Sequence, residues 1–273
     1  MKNNKNIIIT GSTRGLGLVH AKYLSKSGYN IALVDISRNA CSVYKEAEST
    51  DSILNELNNY NISKFYECDL TDLKKTKKTF KTILNDFGSI YGAVLNAGGD
   101  IKGRDKDAKG GKANNNSIMI EIDDHDSIFD RNYRTCLNSI KAIIPILIKQ
   151  NYGKIITTSS VSAGYGAKKE TTYSTAKAAV MQLSRSAAVE FRDHNICINC
   201  IAPGATLTGR FKETIKNRTK EDIEKIKGGG SFLTKIANPL YISFLVEFLL
   251  SKKSDYISGQ VIRVDGGQFA SPI

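Results

Sequence analysis

The chain has no long apolar run. None of its 273 residues belongs to a stretch approaching the roughly 20 apolar residues a membrane-spanning helix needs. The longest candidate, Leu240 to Leu250, carries Glu247, and the early apolar run Ile7–Ile9 is far too short for a secretory signal core. Cysteine is sparse and odd in number: Cys41, Cys68, Cys136, Cys197 and Cys200. That argues against a disulfide framework and for free thiols in a reducing cytoplasm. No Pro/Ser-rich linker and no internal repeat divides the chain, so a single domain over residues 1–273 is expected. Acidic residues are the minority charge, 27 against 39 basic ones, giving a net +12. Such a balance can point to nucleic acid. Here the lysines are scattered through helical segments rather than grouped in one block, so the sequence predicts neither a nucleic acid nor a membrane partner.

What is present is a regular alternation of strand and helix patterns. Short β-rich runs occur at Ile7–Thr10, Asn30–Asp35, Lys64–Cys68, Ile90–Leu95, Lys154–Thr158, Ile196–Ile201 and Gln260–Val264. Helical patterns lie between them: one through Ser27, then Cys41–Asn58, Leu70–Phe87, Asp124–Lys149, Thr172–Arg192 and Pro239–Leu250. Apolar strands alternating with helices predict an α/β fold, a parallel sheet covered by helices on both faces with right-handed crossovers. Two segments break the rhythm. Residues 98–117 are rich in Gly, Lys, Asp and Asn, and residues 203–231 are mixed and contain Gly228-Gly229-Gly230. Loops of that length in a compact domain are commonly functional.

Between the first strand and first helix lies Thr10-Gly11-Ser12-Thr13-Arg14-Gly15-Leu16-Gly17. Three glycines let the backbone turn tightly and approach a pyrophosphate resting on the helix N-terminus. Asp35 ends the second strand at the spacing expected of an acid that accepts hydrogen bonds from ribose hydroxyls and repels a 2′-phosphate. A strand-end cap is the plainer alternative. Arg14 and Arg38 could pair with that phosphate, but Asp35 puts negative charge where it would sit, so NAD is expected over NADP.

Tyr173 and Lys177 stand four residues apart on one helix face. A phenol near its ordinary pKa of about 10 is a poor base at neutral pH. A neighbouring cation favours phenolate and makes Tyr173 able to exchange a proton with a substrate oxygen. Ser159-Ser160 ends the fifth strand, where an open α/β sheet presents its ligands, and Ser160 can bond the same oxygen.

Taken in order, TGSTRGLG, Asp35, Asp69, Asn96-Ala97-Gly98, Asn132, Ser160, Tyr173-x-x-x-Lys177, Pro203-Gly204 and Asp265-Gly266-Gly267 resemble the classical short-chain dehydrogenase/reductase family from Ile7 to Gly267. Ser160 lies thirteen residues before Tyr173, as in many members. The resemblance implies a doubly wound, Rossmann-type, seven-stranded sheet. It implies Tyr173 as general acid/base, with Ser160 orienting the substrate oxygen. Lys177 would hold the nicotinamide ribose and depress the Tyr173 pKa, and Asn132 would hold a water of the proton relay. The cofactor would lie along Gly11, Thr13, Arg14, Gly15, Leu16 and Gly17. Asp35 and Ile36 would meet its ribose, Asp69 and Leu70 its adenine, Asn96, Ala97 and Gly98 its adenosine side. Pro203, Gly204 and Thr206 would flank the nicotinamide, with Thr208 near the phosphates. Members are usually homotetramers or homodimers built on the helices placed at 124–149 and 172–192. Two departures stand out: Leu95 replaces the usual first Asn of Asn-Asn-Ala-Gly, and the segment between Gly98 and Asn132 is about ten residues longer than in compact members.

Other motifs carry less. Cys197 and Cys200 have redox or half-zinc spacing but fall in an apolar strand, where positions three apart face opposite sides. His125 sits in an acidic run that begins a helix, where acids favour the dipole. His20 and His194 have no motif context, and no metal is expected. Three activities compete: an NAD-dependent dehydrogenase of a secondary alcohol, a 3-oxoacyl carrier-protein reductase, and a nucleotide-sensing protein that keeps the fold. Reductases of that second kind generally prefer NADPH, which Asp35 opposes. The complete Asn132, Ser160, Tyr173 and Lys177 set argues against the third. A small alcohol or ketone, polar or anionic, is the expected substrate, with loops 99–117 and 205–231 closing over it as a lid; the alternative for the first loop is a solvated insertion that touches nothing.

Overall fold

The computed structural model describes residues 5–99, 117–166, 170–216, 233 and 235–270. Seven strands form one sheet: β1 (Asn6–Thr10), β2 (Asn30–Asp35), β3 (Ser63–Glu67), β4 (Gly92–Leu95), β5 (Gly153–Thr158), β6 (Ile196–Pro203) and β7 (Val261–Val264). Their order is β3-β2-β1-β4-β5-β6-β7, and every neighbouring pair is parallel. The order reverses between β1 and β4. That reversal leaves a crevice beyond their carboxyl ends, where ligands of such sheets bind.

The central strands β1, β2 and β4 are buried on both sides because both sides are covered. Ile7 and Ile9 of β1 pack on one face with Leu18, Leu24, Ile242 and Val246. Ile8 between them packs on the other with Phe80, Ile83, Ile143 and Leu147. The first face is covered by α1 (Gly15–Lys26), α2 (Thr50–Asn58) and α8 (Pro239–Leu250). The second is covered by α3 (Leu73–Phe87), α5 (Thr135–Gln150) and α6 (Thr171–Phe191). Helices α4 (Ile122–Phe129) and α7 (Gly209–Lys216) stand at the crevice end.

Caps explain several boundaries. The Asp72 carboxylate accepts from Lys75 N, so α3 starts at Leu73 and not at Leu70. It ends at Gly88, whose φ of 77° closes the helix. The helical character of Cys41–Asn58 divides in two. A short 3₁₀ turn, Ala40–Tyr44, stops at left-handed Lys45, and α2 then begins behind a Ser49–Ser52 capping box. The long helix expected over Asp124–Lys149 is also broken. Between α4 and α5 the backbone widens into a π turn, Asp130–Arg134, which carries Asn132. Helix α7 lies in a segment whose mixed composition gives no helical period.

Candidate active site

The glycine-rich loop between β1 and α1 is built from contacts that leave no room for a side chain at two of its glycines. A Cβ on Gly11 would stand 2.9 Å from the Ala97 Cα, and Gly11 has φ +62°. A Cβ on Gly17 would run into the Gly11 carbonyl. Thr10 Oγ1, at the end of β1, accepts from the backbone N–H of both Asn96 and Ala97, each at 3.0 Å. The ends of β1 and β4 are thereby tied across the reversal in strand order. Helix α1 follows with no side-chain cap and no acid in its first turn.

Asp35 is buried and accepts three hydrogen bonds. Its Oδ2 accepts from Thr13 N at 3.0 Å and Thr13 Oγ1 at 2.8 Å, and its Oδ1 accepts from Ile36 N at 2.8 Å. The acid at the β2 end therefore braces the glycine-rich loop, the capping reading in structural form. Asp69 plays a similar local part, accepting from Thr71 N and Thr71 Oγ1. Leu70 is buried in the core beside it.

The π turn, the end of β5 and the start of α6 meet at the next stretch of the crevice. Asn132 is buried and clamps Gly99, accepting from its N–H at 2.8 Å and donating to its carbonyl at 3.0 Å. Its amide also donates to the Ile128 carbonyl at 2.9 Å. Gly98 permits this: a Cβ there would lie 2.7 Å from Asn132 Oδ1 and 3.1 Å from Lys177 Nζ. Lys177 is 3% exposed and donates from Nζ to the Thr158 carbonyl at 2.8 Å. Its ammonium lies 5.8 Å from the centre of the Tyr173 ring. Burial pulls its pKa down from 10.5 to about 8, which leaves it largely protonated at neutral pH. Ser159 donates to the Lys177 carbonyl at 2.7 Å, pinning α6 to β5. Ser160 caps a 3₁₀ turn, Val161–Gly164, and its Oγ accepts from the N–H and hydroxyl of Ser162.

The strand-six side is held by backbone pairing of residues 204–207 with Val264 and Ala237. Thr206 Oγ1 donates to the Gly204 carbonyl, and Thr206 bridges to Ala237. Pro203 ends β6, and Thr208 Oγ1 caps α7 by accepting from Phe211 N at 3.3 Å. The lid expected of loops 99–117 and 205–231 falls largely on residues 100–116 and 217–231, outside the described residues. Of the lesser motifs, Cys200 is buried while Cys197 is partly exposed, as strand alternation requires, and all five cysteines are free. His125 pairs with Asp126 at 3.1 Å and stacks on Phe129.

Two charged residues at the crevice were not singled out by the sequence. Arg131 immediately precedes Asn132, so the same π turn directs it to the cleft. Its guanidinium is held below the ordinary value, first by desolvation and then by the charges of Arg14 and Arg210. Glu46 carries no motif at all. Its carboxylate accepts from Gly15 N and from Gly209 N, each at 2.8 Å.

Comparison with known proteins follows the geometry. A family model described as enoyl-(acyl carrier protein) reductase matches residues 11–268. The 3-oxoacyl-[acyl-carrier-protein] reductase FabG of Staphylococcus aureus strain Mu50 is 28% identical, over 98% of this chain and 100% of its own. The cyclohexanol dehydrogenase of Rhodococcus sp. strain TK6 is 27% identical, over 96% of this chain and 95% of its own. Among solved structures, levodione reductase superposes with a TM-score of 0.83 and 25% identity over 98% of each chain.

Proposed function

The chain belongs to the short-chain dehydrogenase/reductase family of nicotinamide-dependent oxidoreductases acting on alcohol and ketone groups, and on that premise we propose that it interconverts a secondary alcohol and its ketone with NAD(H) preferred. The observation that carries the reading is the buried Lys177 ammonium, seated on the Thr158 carbonyl beside the Tyr173 ring and next to the Asn132–Gly99 clamp. A buried cation is costly and is kept where it has a task.

The residues fit a dinucleotide. Gly11 and Gly17 let the loop fold tightly on Ala97 and on itself, and Gly15, with open space where a Cβ would stand and its N–H on the Glu46 carboxylate, would offer the start of α1 to phosphates. Asp35 with Ile36 would hold the ribose, Asn96 and Ala97 the adenosine side, and Lys177 the nicotinamide ribose. Once bound, the nicotinamide supplies or takes up the hydride. The proton belongs to the protein. Tyr173 Oη gives it to a carbonyl oxygen, or takes it from a hydroxyl, and the Lys177 charge stabilises the phenolate between turnovers. Ser160 orients the substrate oxygen. Asn132, fixed at three points, holds the backbone of Gly99 against the site. The same reading takes residues 1–273 as one domain working in the cytoplasm as a homotetramer or homodimer.

The FabG relative favours a second reading, reduction of a 3-oxoacyl thioester, which the basic surface would suit. One experiment separates them. The purified protein is offered NAD(H) and NADP(H) with sugars, cyclitols, steroids and β-hydroxyacyl thioesters, following reduced-nicotinamide absorbance. Turnover of a free alcohol or ketone with NAD(H) supports the first reading. Turnover confined to thioesters with NADPH replaces it. Dinucleotide binding without turnover of any class leaves a nucleotide sensor.

A further inference from the structure

Glu46 joins two helix starts. Gly15 opens α1, and Gly209 opens α7; one carboxylate oxygen accepts from each backbone N–H at 2.8 Å. The first of these is the position at which a Gly-rich loop offers its N–H groups to a pyrophosphate. Local structure aims the side chain there. The 3₁₀ turn Ala40–Tyr44 ends at Lys45 with φ 53°, which turns the backbone inward, and the Tyr44 ring lies 5.6 Å from the Arg14 guanidinium. The fit is close on the far side too: a Cβ on Gly209 would meet Glu46 Cδ at 2.6 Å and Tyr44 Cβ at 2.8 Å. Arg14 and Arg210 lie close enough to Arg131 for their charges to lower its pKa, so three guanidiniums gather on this side of the crevice. A helix start favours an anion, and in this chain the anion is its own side chain.

We propose that Glu46 is a displaceable latch: its carboxylate fills the phosphate seat, ties α7 to the phosphate loop, and gives way to the dinucleotide's pyrophosphate. The inference rests on the dinucleotide reading above. The pyrophosphate and the carboxylate cannot share Gly15 N, and two like charges so close repel. Arrival of the dinucleotide therefore drives Glu46 out, and the same movement takes the acceptor from Gly209 N. Cofactor binding thus frees the helix that follows the Pro203-Gly204 motif, which couples the cofactor side of the crevice to the substrate side. Glu46 is a positioning residue in this scheme and touches no reacting atom.

The test uses ADP-ribose, which carries the pyrophosphate without nicotinamide, and adenosine, which lacks it. Binding to the full chain is measured by calorimetry for the wild type, Glu46→Gln and Glu46→Ala, alongside thermal unfolding without nucleotide. Both variants should bind ADP-ribose about three- to tenfold tighter, the scale of one carboxylate at a helix start, while melting at lower temperature. Adenosine affinity should not change. Affinity and stability moving in opposite directions is not what a merely structural role produces. Variants that bind ADP-ribose no tighter than a wild type that does bind it overturn the latch alone. An equal gain for adenosine also overturns it, because the gain then does not pass through the phosphate seat. If neither wild type nor variants bind ADP-ribose, NAD(H) or NADP(H), the dinucleotide reading falls, and the latch with it.

Discussion

The two walls of the crevice are made by different means. On the glycine-loop wall, close backbone approaches and two buried side chains hold the loop. Gly11 and Gly17 approach atoms that leave no space for a methyl, Thr10 Oγ1 holds two amides, and Asp35 accepts three hydrogen bonds. On the strand-six wall, residues 204–207 pair by backbone with Val264 and Ala237, and α7 itself is tied back by Thr208 and by the Glu46 carboxylate, which reaches it from a distant segment. The Glu46 side chain can change partners at small cost, and packed backbone cannot, so the first wall is the more rigid and the link from Glu46 to α7 the more readily changed.

The largest expected effect lies between the walls, on α6. Tyr173→Phe removes the phenol oxygen and keeps the ring and Lys177. Turnover should fall about 10²–10⁴-fold, while dinucleotide affinity measured by calorimetry stays near that of the wild type. A near-normal rate would remove Tyr173 from the chemistry. The next effect sets a crowded glycine against an open one. Gly17→Ala forces a methyl onto the Gly11 carbonyl and should destabilise the chain by about 3 kcal/mol and weaken the dinucleotide. Gly166→Ala, at a position past the turn after β5 where an added Cβ meets nothing within 4 Å, should change urea stability by under about 0.5 kcal/mol. Equal losses in the two would mean that the close approach of Gly17 to Gly11 is not what stiffens the loop.

A smaller effect concerns cofactor choice. Asp35→Ala removes the carboxylate that opposes a 2′-phosphate, with Arg14 nearby to receive it. The kcat/KM ratio of NAD to NADP should drop about ten- to a hundredfold, the range of one specificity contact. The variant should also lose some stability, since Thr13 N and Oγ1 lose their acceptor. An unchanged ratio would leave Asp35 as a brace only.

The sequence is most legible where backbone geometry dictates residue type. Glycines at 11, 15 and 17, apolar strands buried on both faces, and the Tyr173–Lys177 spacing each have a local physical signature. The seven strands fall where their patterns put them, within a residue or two at most ends. What escapes is contact between segments distant in the chain. Glu46 reaches Gly15 across 31 residues and Gly209 across 163. No local pattern marks an acid that will meet two helix starts. The π turn escapes for another reason: its sequence, Asp130-Arg131-Asn132-Tyr133-Arg134, keeps ordinary helical polarity, and packing against α6 rather than propensity accompanies the wider turn. Arg131 was hidden with it.

The smallest effect probes what lies behind the rigid wall. His20, on the face of α1 turned to the core, is fully buried, with Nδ1 2.8 Å from Ser243 Oγ on α8. Its Nε2 has no hydrogen-bond partner among the described residues. Burial lowers its pKa from 6.5 to about 3, so the folded chain keeps it neutral through the mildly acidic range. The unfolded chain takes up a proton there below about pH 6.5. Between about pH 6.5 and pH 3 the unfolded state thus binds more protons, and stability rises with pH across that window. Acidification from pH 7.5 to pH 5.5 should therefore cost about 1.4 kcal/mol through this one group. Urea unfolding at the two pH values, in the wild type and in His20→Leu, isolates the contribution. The variant has its own stability, changed by the loss of the Ser243 contact, but it should lack this part of the pH slope. A His20→Leu chain that loses as much stability on acidification as the wild type would mean that the histidine is protonated inside the fold, and that the packing of α1 against α8 yields more readily than the phosphate loop in front of it.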